Sequence, residues 1–263
     1  MNNVKIVFTD LDSTLTKEPG IIDIKNKIIF KKLKDIGIPV VINTGRALPY
    51  IIPICQQFET SNYVISSNGA EIYNIAAKKI IYRSAISKEN INKLDEYVDK
   101  YKLYFTANGI GRRYTNKEDK VGYIKKQKLE DIEEEIAQVV IQSYSIDDMK
   151  YLRRDIETET TLKIANKSKQ IEENQLLYYD IVNSDVSKGK ALEILCEHLN
   201  IDKTKSMAIG DSGNDFEMLK TAGYKVAVAN ATDDLKEIAD IITLSSADNG
   251  VEIVLNELYK NIK

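Results

Sequence analysis

Apolar residues recur in two rhythms along the chain. Val4–Phe8, Ile38–Ile42, Tyr63–Ser66 and Ser206–Ile209 are short, nearly unbroken apolar runs. Runs of that length and composition are typical of strands covered on both faces. Between the runs, apolar positions fall three and four apart, as on one side of a helix. This spacing predicts helices over Ile22–Ile36, with Gly37 as its cap, over Ala47–Phe58, and over Lys188–Leu199. Pro49 suits the first turn of the second of these, whereas Pro53 is expected to kink it or shift its start. Asn68-Gly69 is a turn signal, and Glu71–Tyr73 with Lys79–Tyr82 is expected to form a hairpin.

The texture changes near Ser87. Glu89–Tyr101 and Asp147–Glu157 read as helices. Leu103–Thr106, Arg112–Thr115, Val139–Ser143, Thr160–Ala165 and Leu177–Val182 read as strands. Lys125–Glu135 is so charged that a solvated helix or loop is expected. Regular alternation then returns, with a helix over Asp215–Ala222, a strand at Lys225–Ala229, a helix over Asp233–Ala239, a strand at Ile241–Leu244 and a last helix over Val251–Asn261. Strand–helix alternation is the signature of a parallel sheet with crossover helices. The expected fold is α/β: a doubly wound, Rossmann-like parallel-sheet core built from residues 1–85 and 184–263, with a second α/β domain inserted at residues 86–183.

Composition narrows the chemistry. The chain has 263 residues and a formal charge of −3, so no electrostatic footprint favours nucleic acid or an anionic membrane. No apolar run approaches the roughly 20 residues of a membrane span, and the start lacks the pattern of a signal peptide. Cys55 and Cys196 lie in apolar helical contexts, where buried free thiols are expected, and a reducing, cytoplasmic setting fits them. A single histidine, His198, excludes multi-histidine metal sites, and no role is assigned to it.

In open α/β sheets, ligands bind beyond the carboxyl ends of the strands. The first strand runs into Asp10-Leu11-Asp12-Ser13-Thr14, the second into Thr44-Gly45-Arg46, the third into Ser67-Asn68-Gly69, and a later one into Gly210-Asp211-Ser212-Gly213-Asn214-Asp215. Taken singly, each is an ordinary helix entry or polar loop. Together they gather several carboxylates at one end of one sheet. Crowded carboxylates are costly unless a cation neutralises them, and hard oxygen donors without histidine or thiolate point to Mg²⁺. Backbone N–H groups at glycine-containing turns bind anions, which places Thr44 and Gly45 to receive phosphate. Lys188 is a cation able to neutralise it, and a carboxylate can act as a nucleophile toward phosphorus.

With these segments in place, the chain resembles the haloacid dehalogenase-like (HAD) superfamily of phosphatases, specifically the Cof-type subfamily IIB. The likeness extends over essentially the whole sequence, through Asp10–Leu15, Asn43–Arg46, Ser66–Ala70, Ser187–Lys190, Gly210–Asp215, Ala227–Ala231 and Asn249-Gly250. It implies that Asp10 attacks phosphorus and ligates Mg²⁺. Asp12 would act as acid and then base and would contribute a further metal ligand, and Asp211 would ligate Mg²⁺. Asp215 would support the metal site or Lys188. Thr44, Gly45, Arg46, Lys188 and Asn214 would bind phosphate or substrate. Ser13 stands where many relatives carry glycine; serine occurs there in other branches, and it is tolerable if the local φ is negative. The inserted domain corresponds to the family's cap, with Arg112, Arg113, Tyr114 and Tyr123 as candidate substrate contacts and Tyr178 and Tyr179 as packing residues. The implied activity is hydrolysis of a small phosphorylated metabolite such as a sugar phosphate, nucleotide or cofactor phosphate, by a monomer or homodimer. A phosphomutase or phosphotransferase using the same aspartate is the alternative, and a non-catalytic phosphate-binding module a more distant one.

Overall fold

The computed structural model describes residues 1, 3–18, 21–118, 120–168 and 174–262. Two compact units emerge. One comprises Met1–Arg46, Tyr50–Tyr82 and Ser187–Lys263, the other Ala47–Pro49 and Arg83–Val186. The second unit begins and ends a few residues outside the expected 86–183 because its two connections are tied together. The Asn183 amide donates to Ser84 Oγ (3.0 Å) and to the Ala85 carbonyl (2.8 Å), and Ser184 N donates to the Thr161 carbonyl.

The first unit is built on an eight-stranded sheet. Its spatial order is Ile241–Ile242, Tyr224–Ala227, Ser206–Gly210, Ile6–Thr9, Val40–Asn43, Tyr63–Ser66, Glu71–Asn74 and Lys79–Arg83. The first six strands are parallel, and Tyr63–Ser66 pairs antiparallel with Glu71–Asn74. The four strands whose ends carry the candidate chemistry are called β1 (Ile6–Thr9), β2 (Val40–Asn43), β3 (Tyr63–Ser66) and β4 (Ser206–Gly210). β1 lies between β4 and β2, and each of its residues is buried. Burial on both faces is why these segments read as unbroken apolar runs rather than alternating ones.

Several local expectations change. The segment before the first helix forms a small hairpin, Thr16–Glu18 with Ile21–Ile22, and the helix starts at Ile24, where Asp23 caps it by accepting from Lys25 N. The helix Leu48–Phe58 continues through Pro53, whose missing N–H costs it one internal hydrogen bond.

The second unit has a six-stranded sheet in the order Ile124–Lys125, Arg113–Thr115, Tyr104–Asn108, Gln138–Ser143, Leu177–Asn183 and Leu162–Lys167. Phe105, Ala107, Tyr114, Val139, Ile141 and Ile181 point to one face and pack with Leu94, Tyr97, Leu152 and Ile156 of the helices Lys88–Tyr101 and Ile146–Glu159. The alternate residues, among them Thr106, Asn108, Arg113, Thr115 and Gln138, point to the opposite face. The stretch Lys125–Glu135 is not simply solvated. Leu129 and Ile132 are buried in this core, and Asp95 fixes the short turn Leu129–Asp131 by accepting from Leu129 N (2.7 Å) and Glu130 N (2.8 Å). The surrounding charges conceal those apolar anchors in the sequence. Tyr179 packs against the same core.

Cys55 and Cys196 are buried free thiols, and burial pushes both up to about 12. Among the described residues no helix is long and apolar enough to cross a membrane.

Candidate active site

β1 delivers Asp10 to the end of the sheet, where its N–H donates to the Ile209 carbonyl of β4 at 2.9 Å. Asp10 is 5% exposed, and its Oδ1 accepts from Lys188 Nζ at 2.6 Å. Lys188 opens the helix Lys188–His198 just after its cap, Ser187, and its ammonium also donates to Asp215 Oδ1 at 2.6 Å. The second oxygen of Asp215 accepts from Asp211 N (3.0 Å) and Ser212 N (3.1 Å), which closes the loop after β4 on itself. A side chain at Gly210 would stand 2.5 Å from Asp215 Cβ, so the strand can end this way only with glycine. Asp211 Oδ1 accepts from Thr14 Oγ1 at 3.0 Å, joining the β1 and β4 loops.

Asp10, Asp211 and Asp215 each offer a carboxylate oxygen within 4.8 Å of the others, and all three are buried. Burial, with Asp215 and Asp211 alongside, pushes the Asp10 carboxyl up to about 8 against the pull of Lys188. Burial opposes the charge on Lys188, but Asp10 and Asp215 outweigh it and hold the ammonium above its ordinary range. Three carboxyl groups face one ammonium in a dry site, an acidic excess that keeps Asp10 from ionising readily until another cation joins them. Oxygen donors with that excess fit a hard divalent cation, with Asp10 and Asp211 as the natural ligands because Asp215 already spends both oxygens on the protein.

The β2 loop adjoins them. Asn43 Nδ2 donates to the Lys188 carbonyl at 3.0 Å, and Arg46 N donates to Thr44 Oγ1 at 3.2 Å. Arg46 does not stand as a free cation. Its Nε and Nη2 grip the two oxygens of Asp12 at 2.8 and 2.5 Å, a pairing that sequence separation hides.

The β3 loop braces the β2 loop. Ser67, Asn68 and Gly69 are consecutive left-handed residues, with φ of 51°, 58° and 99°. Asn68 N donates to the Thr44 carbonyl, and Ser67 N to that of Arg46. Asn68 Oδ1 accepts from Asn214 Nδ2 at 2.9 Å, so Asn214 meets another loop rather than standing free. The Asn68 side chain lies where a Cβ on Gly45 would come within 3.1 Å. Buried Glu71 accepts from the hydroxyls of Ser66 (3.1 Å) and Ser67 (3.0 Å). The sequence marks this place with its Asn-Gly turn signal at a strand end, but gives Asn68 and Glu71 no individual role. Asn230, within the matching segment Ala227–Ala231 but with no role legible there, donates its amide to the Ser13 carbonyl at 2.8 Å.

Ser13 departs from expectation. Its φ is +62°, in the left-handed region, where the tight return from β1 places it despite the Cβ. In the second unit, Arg112 is exposed and Arg113 stacks on the Tyr123 ring, its guanidinium carbon 4.1 Å from the centroid. Tyr114 is buried, and its hydroxyl donates to Glu134. Arg112 and Tyr114 line a cavity of about 580 Å³ together with Ile110, Ile124, Lys126 and Glu134. His198 packs edge-on against Tyr63.

A family model described as haloacid dehalogenase-like hydrolase matches residues 7–255. The chain belongs to the haloacid dehalogenase-like hydrolases. It is 29% identical over 260 residues to the 5-amino-6-(5-phospho-D-ribitylamino)uracil phosphatase YcsE of Bacillus subtilis, covering 95% of this chain and 93% of that protein. Its fold matches that of a haloacid dehalogenase-like hydrolase from Bacteroides thetaiotaomicron with a TM-score of 0.85 at 24% identity, over 97% of this chain and 99% of the other. It also matches the HAD subclass IIB sugar phosphatase BT4131, with a TM-score of 0.80 at 20% identity, over 97% and 98% of the two chains. By class, this member of the haloacid dehalogenase-like family is a phosphoric monoester hydrolase.

Proposed function

We propose that this hydrolase is a Mg²⁺-dependent phosphatase of small phosphomonoesters that works through an aspartyl-phosphate on Asp10. The observation that carries the reading is the buried Asp10 carboxylate, held through one oxygen by Lys188 beside Asp211 and Asp215. A carboxylate fixed at the end of a central strand is oriented for attack on phosphorus, and orientation is a large part of what this reaction needs. Attack by Asp10 would form an O–P bond and break the bond to the leaving alcohol's oxygen, which takes up a proton. Water would then cleave the aspartyl-phosphate and regenerate the carboxylate.

Asp12 is the acid and base of this scheme. Arg46 holds both of its oxygens, so one of them has to be released before Asp12 can transfer a proton. Thr44, the Gly45 turn and Lys188 would hold the phosphoryl oxygens, with Asn214 and Asn68 keeping two loops in register. Bound between Asp10 and Asp211, with the Asp12 main-chain carbonyl as a further ligand, Mg²⁺ would neutralise the acids and the developing charge. The unit Arg83–Val186 would serve as the cap that selects the leaving group, with Arg112 and Arg113 as its candidate contacts, while Tyr114 is engaged in packing and with Glu134.

The test is phosphate release from a panel of phosphomonoesters, by wild type and Asp10→Asn, with Mg²⁺ and with a chelator. Release that requires Mg²⁺ and falls at least a thousandfold in Asp10→Asn is the expected outcome. Release that persists in the variant would overturn the nucleophile assignment.

A further inference from the structure

Beside Arg113, the second unit holds two cations, Lys117 and Lys120, that the chemistry above does not use. Lys120 Nζ donates to Thr106 Oγ1 at 3.2 Å and lies 4.2 Å from the centre of the Tyr123 ring, the ring that Arg113 also covers at 4.1 Å. Lys117 Nζ lies 4.8 Å from the centre of the Tyr104 ring. Among the described residues, the partners of Lys120 and Lys117 are a hydroxyl and aromatic rings, with no carboxylate. Burial and then the charges of Arg113 and Lys117 pull the Lys120 ammonium down to about 8. Like charges gathered on a half-buried surface destabilise a fold, and an anion there would reverse the sign of that contribution.

A second observation lies next to them. Asn108 is 2% exposed, and among the described residues its Oδ1 has no hydrogen-bond partner. Asn108 is the register partner of Arg113, and Thr106 that of Thr115, so Asn108, Arg113 and Thr106 share the sheet face opposite the unit's apolar core. A buried acceptor left unpaired is costly, and a ligand hydroxyl would satisfy it. Asp180 shares the face but sits two strands from Thr106, across Val140.

We infer that this face binds an anionic group, phosphate or carboxylate, adjacent to a hydroxyl: the anion on Lys120, Lys117 and Arg113, the hydroxyl donating to Asn108 Oδ1. Two sources share that chemistry, a second anionic group on the phosphatase's own substrate and a separate small anion. The first rests on the phosphatase reading, and the second does not.

Two measurements separate them. The first compares kcat/KM for a hexose bisphosphate and the matching hexose monophosphate, in wild type, Lys120→Gln and Lys120→Arg. If the substrate supplies the anion, wild type prefers the bisphosphate, and Lys120→Gln lowers that preference about tenfold, the worth of one charge-assisted hydrogen bond. Lys120→Arg retains it. A ratio is insensitive to general loss of folded enzyme, which lowers both rates together. The second measurement is calorimetric titration of inorganic phosphate into the same three proteins without substrate. Wild type and Lys120→Arg are expected to show one more site than Lys120→Gln. That difference without a change in substrate preference assigns the site to a separate anion. If the protein releases no phosphate from either ester, the phosphatase reading fails while the titration still decides this one. An unchanged preference together with unchanged stoichiometry in Lys120→Gln overturns the inference.

Discussion

Lys188 is the residue on which the candidate site balances, because one buried ammonium serves two buried carboxylates. Removing one partner of a buried ion pair leaves charge that neither water nor protein compensates, at a cost of about 3–5 kcal/mol. Lys188→Met is therefore expected to lose activity and to melt well below wild type. Mg²⁺ should raise its melting temperature more than it raises that of wild type, since the variant's acids have no other counter-charge. Equal shifts in thermal melts with and without Mg²⁺ would refute the charge account. At this scale the sequence was legible wherever a chemical residue followed an apolar run: Asp10, Thr44, Lys188, Asp211 and Asp215 all lie where strand ends and one helix start place them. It was not legible where a long side chain chooses its partner. Nothing in the order of residues aims Arg46 at Asp12, 34 positions away, and nothing in the identity of Ser13 tells that its φ is positive.

Turns and helix pairs carry the next level of specification. Gly69 and Gly37 both have positive φ, but a Cβ at Gly69 would meet the Ser187 carbonyl at 2.3 Å, whereas one at Gly37 would meet nothing. Gly37→Ala should cost about 1 kcal/mol from backbone conformation alone. Gly69→Ala should cost about 2–4 kcal/mol, because backbone must also move. Urea midpoints of the two variants give the comparison, and equal losses would discount the steric term. The helices Lys88–Tyr101 and Ile146–Glu159 meet at Asp155. Burial raises that carboxyl, but hydrogen bonds from Tyr101, Arg154 and Lys100 outweigh it and bring it to about 2. A carboxyl held lower in the folded than in the unfolded chain stabilises the fold above its unfolded value near 3.8, and that contribution fades as pH falls toward 2. The contribution is about 1–2 kcal/mol after allowance for solvent. Asp155→Asn should therefore flatten stability against pH between 4 and 2, as followed by acid titration of circular dichroism. The charged stretch after Lys125 was misread at this level because three apolar side chains, Leu129, Ile132 and Ile136, decide its path against eight or so charged neighbours that do not.

The molecule as a whole has two cores, and the second is contiguous in sequence apart from Ala47–Pro49. Arg83–Val186 contains its own sheet, two helices packed on it, and its two connections clipped together by Asn183. Expressed alone, that segment is expected to give a cooperative thermal melt, and a broad, non-cooperative trace would show that it depends on the rest of the chain. The sequence conveyed this division through a change of rhythm, from regular alternation to mixed strands and helices, but the exact seams depend on side-chain contacts across the two connections.

β1 is flanked by β2 on one side and by β4 on the other, and the partners of Asp10 lie 178 positions on at Lys188 and farther still at Asp211 and Asp215. A ribosome makes β1 well before β4, with the unit Arg83–Val186 between them. Until β4 emerges, then, the central strand has one edge open and its aspartate has neither its counter-ion nor its neighbouring carboxylates around it. The danger to the nascent chain lies in that exposed edge. Codon changes or truncations that delay the arrival of β4 should cost this protein solubility before they cost it activity.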